Sequence, residues 1–197
     1  VLITGASSGI GYELAKVCAN NGHDLVLVAR SDITTTHPVF STVSVVKIKA
    51  DLSTSGAAKR LVSQLKRRSI TIDIIINNAG FGSFGEFKDM DVQAATDMVQ
   101  LNCIALTELS GLILPQMLHQ KGGKILNVAS TAAFLPGPMM AVYYATKHYV
   151  LAFSEGLSEE LRGSGVTVTA LCPGATESNF AQVADAEHSN LFKNKKL

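Results

Sequence analysis

The chain has 197 residues, of which 47% are hydrophobic and 17% charged, and this balance excludes a disordered chain. Its 17 basic and 16 acidic residues leave a formal net charge of +1, so composition predicts no general attraction to nucleic acid or to an anionic membrane. The length suffices for a hydrophobic core and no linker divides it, so we expect a single domain over residues 1–197.

Short apolar runs alternate along the chain with longer segments of helical period. The predicted strands are residues 1–4, 25–29, 43–48, 72–76, 124–129 and 166–171. The predicted helices are residues 9–21, 55–68, 91–119 and 141–162. This alternation predicts a parallel sheet with helices on both faces. We therefore expect an α/β fold, a doubly wound, Rossmann-like sheet of three layers that binds its ligand outside the carboxyl ends of the strands.

Two parts of the pattern are irregular. Residues 31–42 should carry a crossover helix, but they show no helical period and contain Pro38, so we expect a shortened, irregular connection. No strand is predicted after residue 171, and we expect residues 193–196 to be a basic, solvated tail. We expect that a seventh strand is missing and that the C-terminal substrate segment is truncated.

Cysteine usage and targeting signals bear on the compartment. Cys18, Cys103 and Cys172 are far apart and have no ligand spacing, so we expect no metal site and a reducing environment. The chain opens directly on VLITGASSGIG, and no signal peptide is visible. Residues 125–146 carry no charge but contain Pro136 and Pro138, which argues against a membrane span. A cytoplasmic location is the expectation.

A glycine-rich turn, TGASSGIG at residues 4–11, connects the first strand to the first helix. Gly5 permits a turn that a side chain would strain, while Gly9 and Gly11 allow close approach of the first helical turn to a pyrophosphate. Ser7 and Ser8 add hydroxyl donors. The spacing is GxxxGxG, and the pattern predicts a dinucleotide site, with a turn that binds no ligand as the alternative.

The end of the second strand indicates which dinucleotide is bound. A site that prefers NAD places a carboxylate there, whereas this chain has Arg30, whose guanidinium suits a 2′-phosphate. We therefore expect NADP(H) to be preferred. Asp32 is close in sequence, so NAD(H) remains possible.

A serine, a tyrosine and a lysine form a candidate catalytic set. Tyr143 and Lys147 are spaced i and i+4 at the start of a helix, hence on one face, and the ammonium should lower the pKa of the phenol. Ser130 follows the fifth strand, at the edge where ligands bind. Tyr144 is the second candidate for the tyrosine, but its partner at i+4 is His148.

These motifs, together with Asp51-Leu52, NNAG at residues 77–80, Asn102 and YYATK, resemble the short-chain dehydrogenase/reductase family in its NADP(H)-preferring branch. The resemblance covers residues 1 to about 180. It implies NADPH-dependent reduction of a carbonyl (a ketone, an aldehyde or a 3-oxoacyl group) to an alcohol, by a reversible hydride transfer.

The resemblance also implies catalytic roles. Tyr143 would protonate the carbonyl oxygen, Lys147 would lower its pKa and bond the nicotinamide ribose, and Ser130 would position the carbonyl. Asn102 would hold a water in the proton relay, at an interruption of the long helix.

A larger set of residues would contact the cofactor, with Asp51 accepting from the adenine amine and Leu52 beside the ring. The set is Gly5, Ser7, Ser8, Gly9, Ile10, Gly11, Arg30, Asp51, Leu52, Asn78, Ala79, Gly80, Tyr143, Lys147, Pro173, Gly174 and Thr176.

Apolar loop residues beyond the strand ends predict a small hydrophobic carbonyl or alcohol as substrate. The candidate wall is Phe81, Phe84, Phe134, Leu135, Pro136, Met139 and Phe180. Apolar helices at 95–118 and 142–161 suggest a homodimer or homotetramer, as the family forms. Two other functions stay open: a non-catalytic NADPH-binding regulator, and a nucleotide-sugar epimerase or dehydratase, which would need a larger C-terminal domain.

Overall fold

Strands and helices alternate in the structure as the sequence predicts. The computed structural model of the protein describes residues 1–176, so Phe180 and the tail at 193–196 lie outside the described residues. The strands are β1 (Leu2–Thr4), β2 (Leu25–Ala29), β3 (Val45–Lys49), β4 (Ile74–Asn77), β5 (Gly123–Val128) and β6 (Val166–Leu171). The helices are α1 (Gly9–Asn20), α2 (Ala57–Arg67), α3 (Val92–Val99), α4 (Leu106–His119) and α5 (Ala141–Glu160).

The six strands form one parallel sheet in the order β3-β2-β1-β4-β5-β6. The strand order reverses between β1 and β4, and the loops that leave these two strands run to opposite faces of the sheet. This is the doubly wound α/β fold that the sequence predicts. The reversal opens a crevice at the carboxyl ends of β1 and β4, which is where such folds bind ligands.

Helices cover both faces of the sheet, so the strands are apolar at consecutive positions. Leu2 and Ile75 point into a core shared with α2 and α4, whereas Ile3 and Ile76 point into a second core against α1. All four side chains are at most 3% exposed. Burial on both faces explains the uninterrupted apolar runs of these strands, because neighbouring residues alternate between the two cores.

The irregular connection predicted at residues 31–42 and the interruption predicted in the long helix are both present, whereas the C-terminal segment beyond residue 176 lies outside the described residues. The connection between β2 and β3 contains a single 3₁₀ turn, Pro38–Ser41, which packs Val39 and Phe40 against the α1 side of the sheet. The long predicted helix divides into α3 and α4 around a π-helical segment, Gln100–Ala105. The interruption expected at Asn102 is thus confirmed, and π segments often occur at functional sites.

One helical stretch of the described residues, Val92–His119, is long and apolar enough to cross a membrane by length and composition alone. Half of its most apolar window is buried inside the protein. A core helix of a folded domain has the same properties, so this stretch is weak evidence for a span.

Candidate active site

A cleft of about 350 Å³ lies at the carboxyl edge of the sheet. Most of the predicted site residues line it, namely Gly5, Ser7, Ser8, Gly9, Ile10, Arg30, Asp51, Leu52, Asn78, Ala79, Gly80, Ser130, Tyr143, Lys147, Pro173, Gly174 and Thr176. Gly11 and Asn102 belong to the predicted set but do not line the cleft. The fold therefore brings together residues that are far apart in sequence.

The glycine turn is tight because backbone and side chains crowd its glycines. Gly5 has a φ of 66°, and a Cβ there would lie 2.9 Å from the Cα of Ala79. A Cβ on Gly11 would lie 2.4 Å from the carbonyl oxygen of Gly5. Gly11 thus allows α1 to pack under the turn, and its contribution to the cleft is indirect.

Hydrogen bonds of Thr4 and Asn78 hold this turn against the end of β4. The Asn78 side-chain amide donates to the carbonyl oxygens of Thr4 and Gly5, at 3.0 and 3.1 Å. In return, the Thr4 hydroxyl accepts from the backbone N–H groups of Asn78 and Ala79, both at 3.0 Å. Sequence reasoning placed Asn78 beside the cofactor but missed Thr4. The threonine before the first glycine of the turn was the available signal.

The amino terminus of α1 points at the cleft and suits an anion. Ser8 is the N-cap residue, its side chain makes no capping bond, and the first turn has no acidic residue. Free N–H groups and the helix dipole favour a phosphate at this position. These features, with the tight approach at Gly5, fit the pyrophosphate of a dinucleotide.

Arg30 and Asp51 lie at the ends of β2 and β3, where the cleft would receive the adenosine half of a dinucleotide. Asp51 accepts from the Ser53 hydroxyl at 2.6 Å and from its backbone N–H at 2.9 Å. Partial burial acts to raise the pKa of Asp51, but these bonds and the Arg30 charge outweigh it and lower the pKa. Asp32 does not line the cleft and pairs with Lys49 at 3.3 Å.

Tyr143 is buried in the wall of the cleft, at the start of α5, beside Met98, Ala132 and Met140. Burial is the largest influence on its phenol and raises the pKa above 10, while a hydrogen bond with Ser130 acts in the opposite direction. This direction corrects the expectation of a lowered pKa. A phenol is already protonated at neutral pH, and burial favours that form further, so Tyr143 has a proton to donate.

Lys147 lies one turn further along α5, with its ammonium deep in the protein. Its Nζ donates to the carbonyl oxygen of Val128 at 2.8 Å and lies 5.7 Å from the centroid of the Tyr143 ring. Burial lowers the pKa of Lys147 from 10.5 to about 8. The chain therefore holds a strongly dehydrated cation beside the phenol, where it would stabilise a phenolate.

Asn102 lies behind the cleft wall in the π segment, with its side chain fully engaged. Its Oδ1 accepts from the Phe81 N–H at 3.1 Å, and its Nδ2 donates to the Phe81 carbonyl at 2.9 Å and to the Thr146 hydroxyl at 3.0 Å. Since both N–H hydrogens are used, this amide has none left to donate to a relay water. Through these contacts Asn102 connects the loop that follows β4, at Phe81, to Thr146 of α5.

The predicted substrate wall is only partly in place. Phe81 lines the cleft, together with Met140 and Tyr144, which sequence reasoning did not include. Among the other predicted residues, Phe134, Leu135, Pro136 and Met139 are exposed. Phe84 packs against the buried cluster that contains Tyr143. Their position in loops made these contacts unpredictable from sequence, although Met140 and Tyr144 adjoin the start of the catalytic helix.

Substituting Gly11 by Ala should lower the free energy of unfolding by about 1–3 kcal/mol and weaken dinucleotide binding, because the new methyl group meets backbone that cannot move aside. Denaturant titration and fluorescence titration with NADPH measure the two effects. Gly111 in α4 has no neighbouring atom within 4 Å of an added Cβ, so Gly111→Ala is the control and should cost nothing. Equal effects of the two substitutions would contradict the close packing at Gly11.

Comparison with known proteins agrees with this geometry. The profile of the short chain dehydrogenase family matches residues 1–189. A short chain dehydrogenase of Pseudocercospora fijiensis is 32% identical over 198 residues, which cover 94% of this chain and 62% of the relative. The chain thus belongs to the short-chain dehydrogenase family, and it spans about three fifths of the length of this relative.

Solved structures show the same fold. A short-chain dehydrogenase from Sphingobium yanoikuyae, in complex with NADPH, superposes with a TM-score of 0.89 at 35% identity over 100% of this chain and 77% of its own. A bulky-bulky ketone specific alcohol dehydrogenase from Comamonas testosteroni gives a TM-score of 0.81 at 37% identity, covering 89% of this chain and 72% of its own.

Proposed function

We propose that the protein is an NADPH-dependent carbonyl reductase, which reduces a ketone, an aldehyde or a 3-oxoacyl group to an alcohol and runs in reverse as an alcohol dehydrogenase. The observation that carries this proposal is the meeting of Ser130, Tyr143 and Lys147 in the cleft that the glycine turn borders. Membership of a family of dehydrogenases supports the class of reaction.

Some residues of the cleft would hold the substrate, and others would transfer the proton. When bound, the reduced nicotinamide supplies a hydride to the carbonyl carbon. Tyr143, which is protonated at neutral pH, donates its proton to the carbonyl oxygen, which the Ser130 hydroxyl holds in place. The phenolate left behind is stabilised by the ammonium of Lys147, whose Nζ lies 5.7 Å from the ring centroid.

The preference for NADPH rests on the charges at the ends of β2 and β3. Arg30 lines the cleft and is exposed, so its guanidinium can bind a 2′-phosphate by two parallel hydrogen bonds. Asp32, whose carboxylate would favour NADH, forms an ion pair with Lys49. The NADPH bound by the Sphingobium yanoikuyae structure supports the same choice.

Replacing Arg30 by Ala should raise the Kd for NADPH by about 10- to 100-fold, because a charge-assisted pair to the 2′-phosphate is lost. The Kd for NADH should change little, since that cofactor has a hydroxyl at this position. Fluorescence titration with both cofactors measures the ratio. Asp32→Asn serves as the control and should change neither value; equal losses for NADPH and NADH in Arg30→Ala would refute the assignment.

The substrate end of the cleft is apolar, which favours a hydrophobic carbonyl. Phe81, Met140 and Tyr144 form its surface near the catalytic tyrosine. The specificity of the Comamonas testosteroni enzyme for bulky-bulky ketones is in keeping with this chemistry.

Exposed apolar side chains on α3, the π segment and α5, such as Val99, Ile104 and Tyr149, favour a homodimer or homotetramer.

A panel of ketones, aldehydes and 3-oxoacyl thioesters, followed by NADPH absorbance with the full-length protein, tests the proposal directly. Turnover of the apolar members is expected, and a sugar and a charged keto acid, added to the panel as controls, should not turn over. Tight NADPH binding without turnover on any member would instead identify a non-catalytic regulator.

A further inference from the structure

A small cavity lies directly behind the wall of the cleft. Its volume is about 10 Å³. Leu52, Ala79 and Leu101 line both the cavity and the cleft and therefore separate them. The other residues around the cavity include two polar side chains, Thr4 and Asn77.

The Asn77 amide presents an unsatisfied polar atom. The residue is 3% exposed, and its Nδ2 donates to the Ser110 hydroxyl at 3.1 Å and to Asn127 Oδ1 at 2.9 Å. Its Oδ1 is buried and has no hydrogen-bond partner among residues 1–176. A buried carbonyl oxygen left without a partner costs about 1–3 kcal/mol, so native proteins satisfy nearly all of them, often with an ordered water.

Thr4 supplies a second polar group at the same cavity. Its hydroxyl oxygen accepts two backbone N–H groups, but its own hydrogen has only a long contact, 3.5 Å, with the carbonyl oxygen of Ile76. At that distance a hydroxyl donates weakly, so its hydrogen is available to a closer acceptor. Thr4 and Asn77 both line the cavity, so one potential donor and one unsatisfied acceptor belong to the residues that surround it.

We propose that this cavity binds one water molecule, which accepts a hydrogen bond from the Thr4 hydroxyl and donates one to Asn77 Oδ1. The volume agrees, since a cavity needs about 10–15 Å³ to hold one water, and two polar partners are the minimum that holds an internal water. This site goes beyond the proposed reaction and does not depend on it.

The water completes a buried hydrogen-bonded chain across the sheet. Asn77 donates to Asn127, and Asn127 Nδ2 donates to the Ser154 hydroxyl at 2.9 Å. Ser154 belongs to α5, the helix that carries Tyr143. With the water in place, the chain runs from Thr4 at the glycine turn through β4 and β5 to α5, and so joins the two halves of the site.

Water–methyl nuclear Overhauser effects test the site, because methyl protons do not exchange with solvent. The methyl groups of Ala105 and Leu109 line the cavity but not the cleft, and both residues are at most 2% exposed. We expect a direct cross-peak from each to the water resonance. Ala15 and Val150, which are 0% exposed and line neither space, are the controls and should give none. No cross-peak at Ala105 and Leu109 would mean a dry cavity and overturn the proposal.

Two variants locate the water. Ala105→Val adds two methyl groups in the cavity and should abolish the cross-peak at Leu109. Ser110→Ala removes another partner of the same Asn77 amide without touching the cavity, and should leave the cross-peak intact. Persistence of the cross-peak in Ala105→Val would place the water elsewhere and refute the site. A crystal structure offers an independent check, with a single density peak expected within hydrogen-bond distance of Asn77 Oδ1.

Discussion

Replacement of Tyr143 by Phe should lower kcat for carbonyl reduction by about 10³-fold, within the range that a general acid contributes, and leave the Kd for NADPH unchanged. Phe keeps the ring, so its packing against Met98, Ala132 and Met140 is retained and only the hydroxyl is lost. Steady-state kinetics with the best substrate of the panel gives kcat, and fluorescence titration gives Kd. A loss in kcat alone marks a proton donor, because a packing defect would also weaken cofactor binding.

Tyr144→Phe is the matched control, since Tyr144 is adjacent in sequence and also lines the cleft. Its position i+4 is occupied by His148, whose Nδ1 lies 2.8 Å from the Tyr144 carbonyl oxygen. We expect less than about a tenfold change in kcat, as for removal of one neutral hydrogen bond. Retained activity in Tyr143→Phe together with a large loss in Tyr144→Phe would exchange the roles of the two tyrosines.

Replacement of Lys147 by Met should nearly abolish activity and at the same time stabilise the unliganded protein. Burial lowers the pKa of Lys147 from 10.5 to about 8, so the folded state holds its ammonium at a cost. That shift corresponds to about 3 kcal/mol, and loss of the hydrogen bond to Val128 offsets about 1 kcal/mol, so the free energy of unfolding at pH 7 should rise by about 2 kcal/mol. Denaturant unfolding of both proteins measures the difference.

The pH dependence separates this electrostatic cost from simple repacking. Below pH 8 both the folded and the unfolded wild type carry the charge, and the penalty is fully present. Between pH 8 and 10.5 the folded state releases its proton first, so the stability of the wild type rises. The advantage of Lys147→Met should therefore shrink over this interval. An advantage independent of pH would show that the ammonium carries no such cost.

The sequence was sufficient for the parts of the site that local rules determine. The glycine turn follows a buried strand, Ser130 follows β5, and Tyr143 and Lys147 are one turn apart on a helix. In a parallel sheet the carboxyl ends of the strands share one edge, so these three locations converge once the strand order is known. Periodicity determines the strands and helices, and the irregular connection before β3 follows from Pro38 and the absence of a helical period.

Other features depend on tertiary packing and could not be predicted from the sequence. The direction of the Tyr143 pKa follows from burial, which the i, i+4 spacing to Lys147 does not report. Asn102 is predicted to hold a water of the proton relay, and the sequence gives no sign that its side-chain amide contacts Phe81 and Thr146. Loops such as residues 131–140 have no periodicity, and so the composition of the substrate wall could not be read from their apolar residues.

The hydrogen bonds between Thr4 and Asn78 constrain the order in which the protein folds. They join residues 74 apart in sequence, so the glycine turn cannot acquire its bound-like shape until β1 and β4 have paired. A nascent chain that ends after α1 contains the whole glycine turn but lacks Asn78, and therefore lacks these hydrogen bonds. The shape that suits a nucleotide therefore requires β4 to be present and paired with β1.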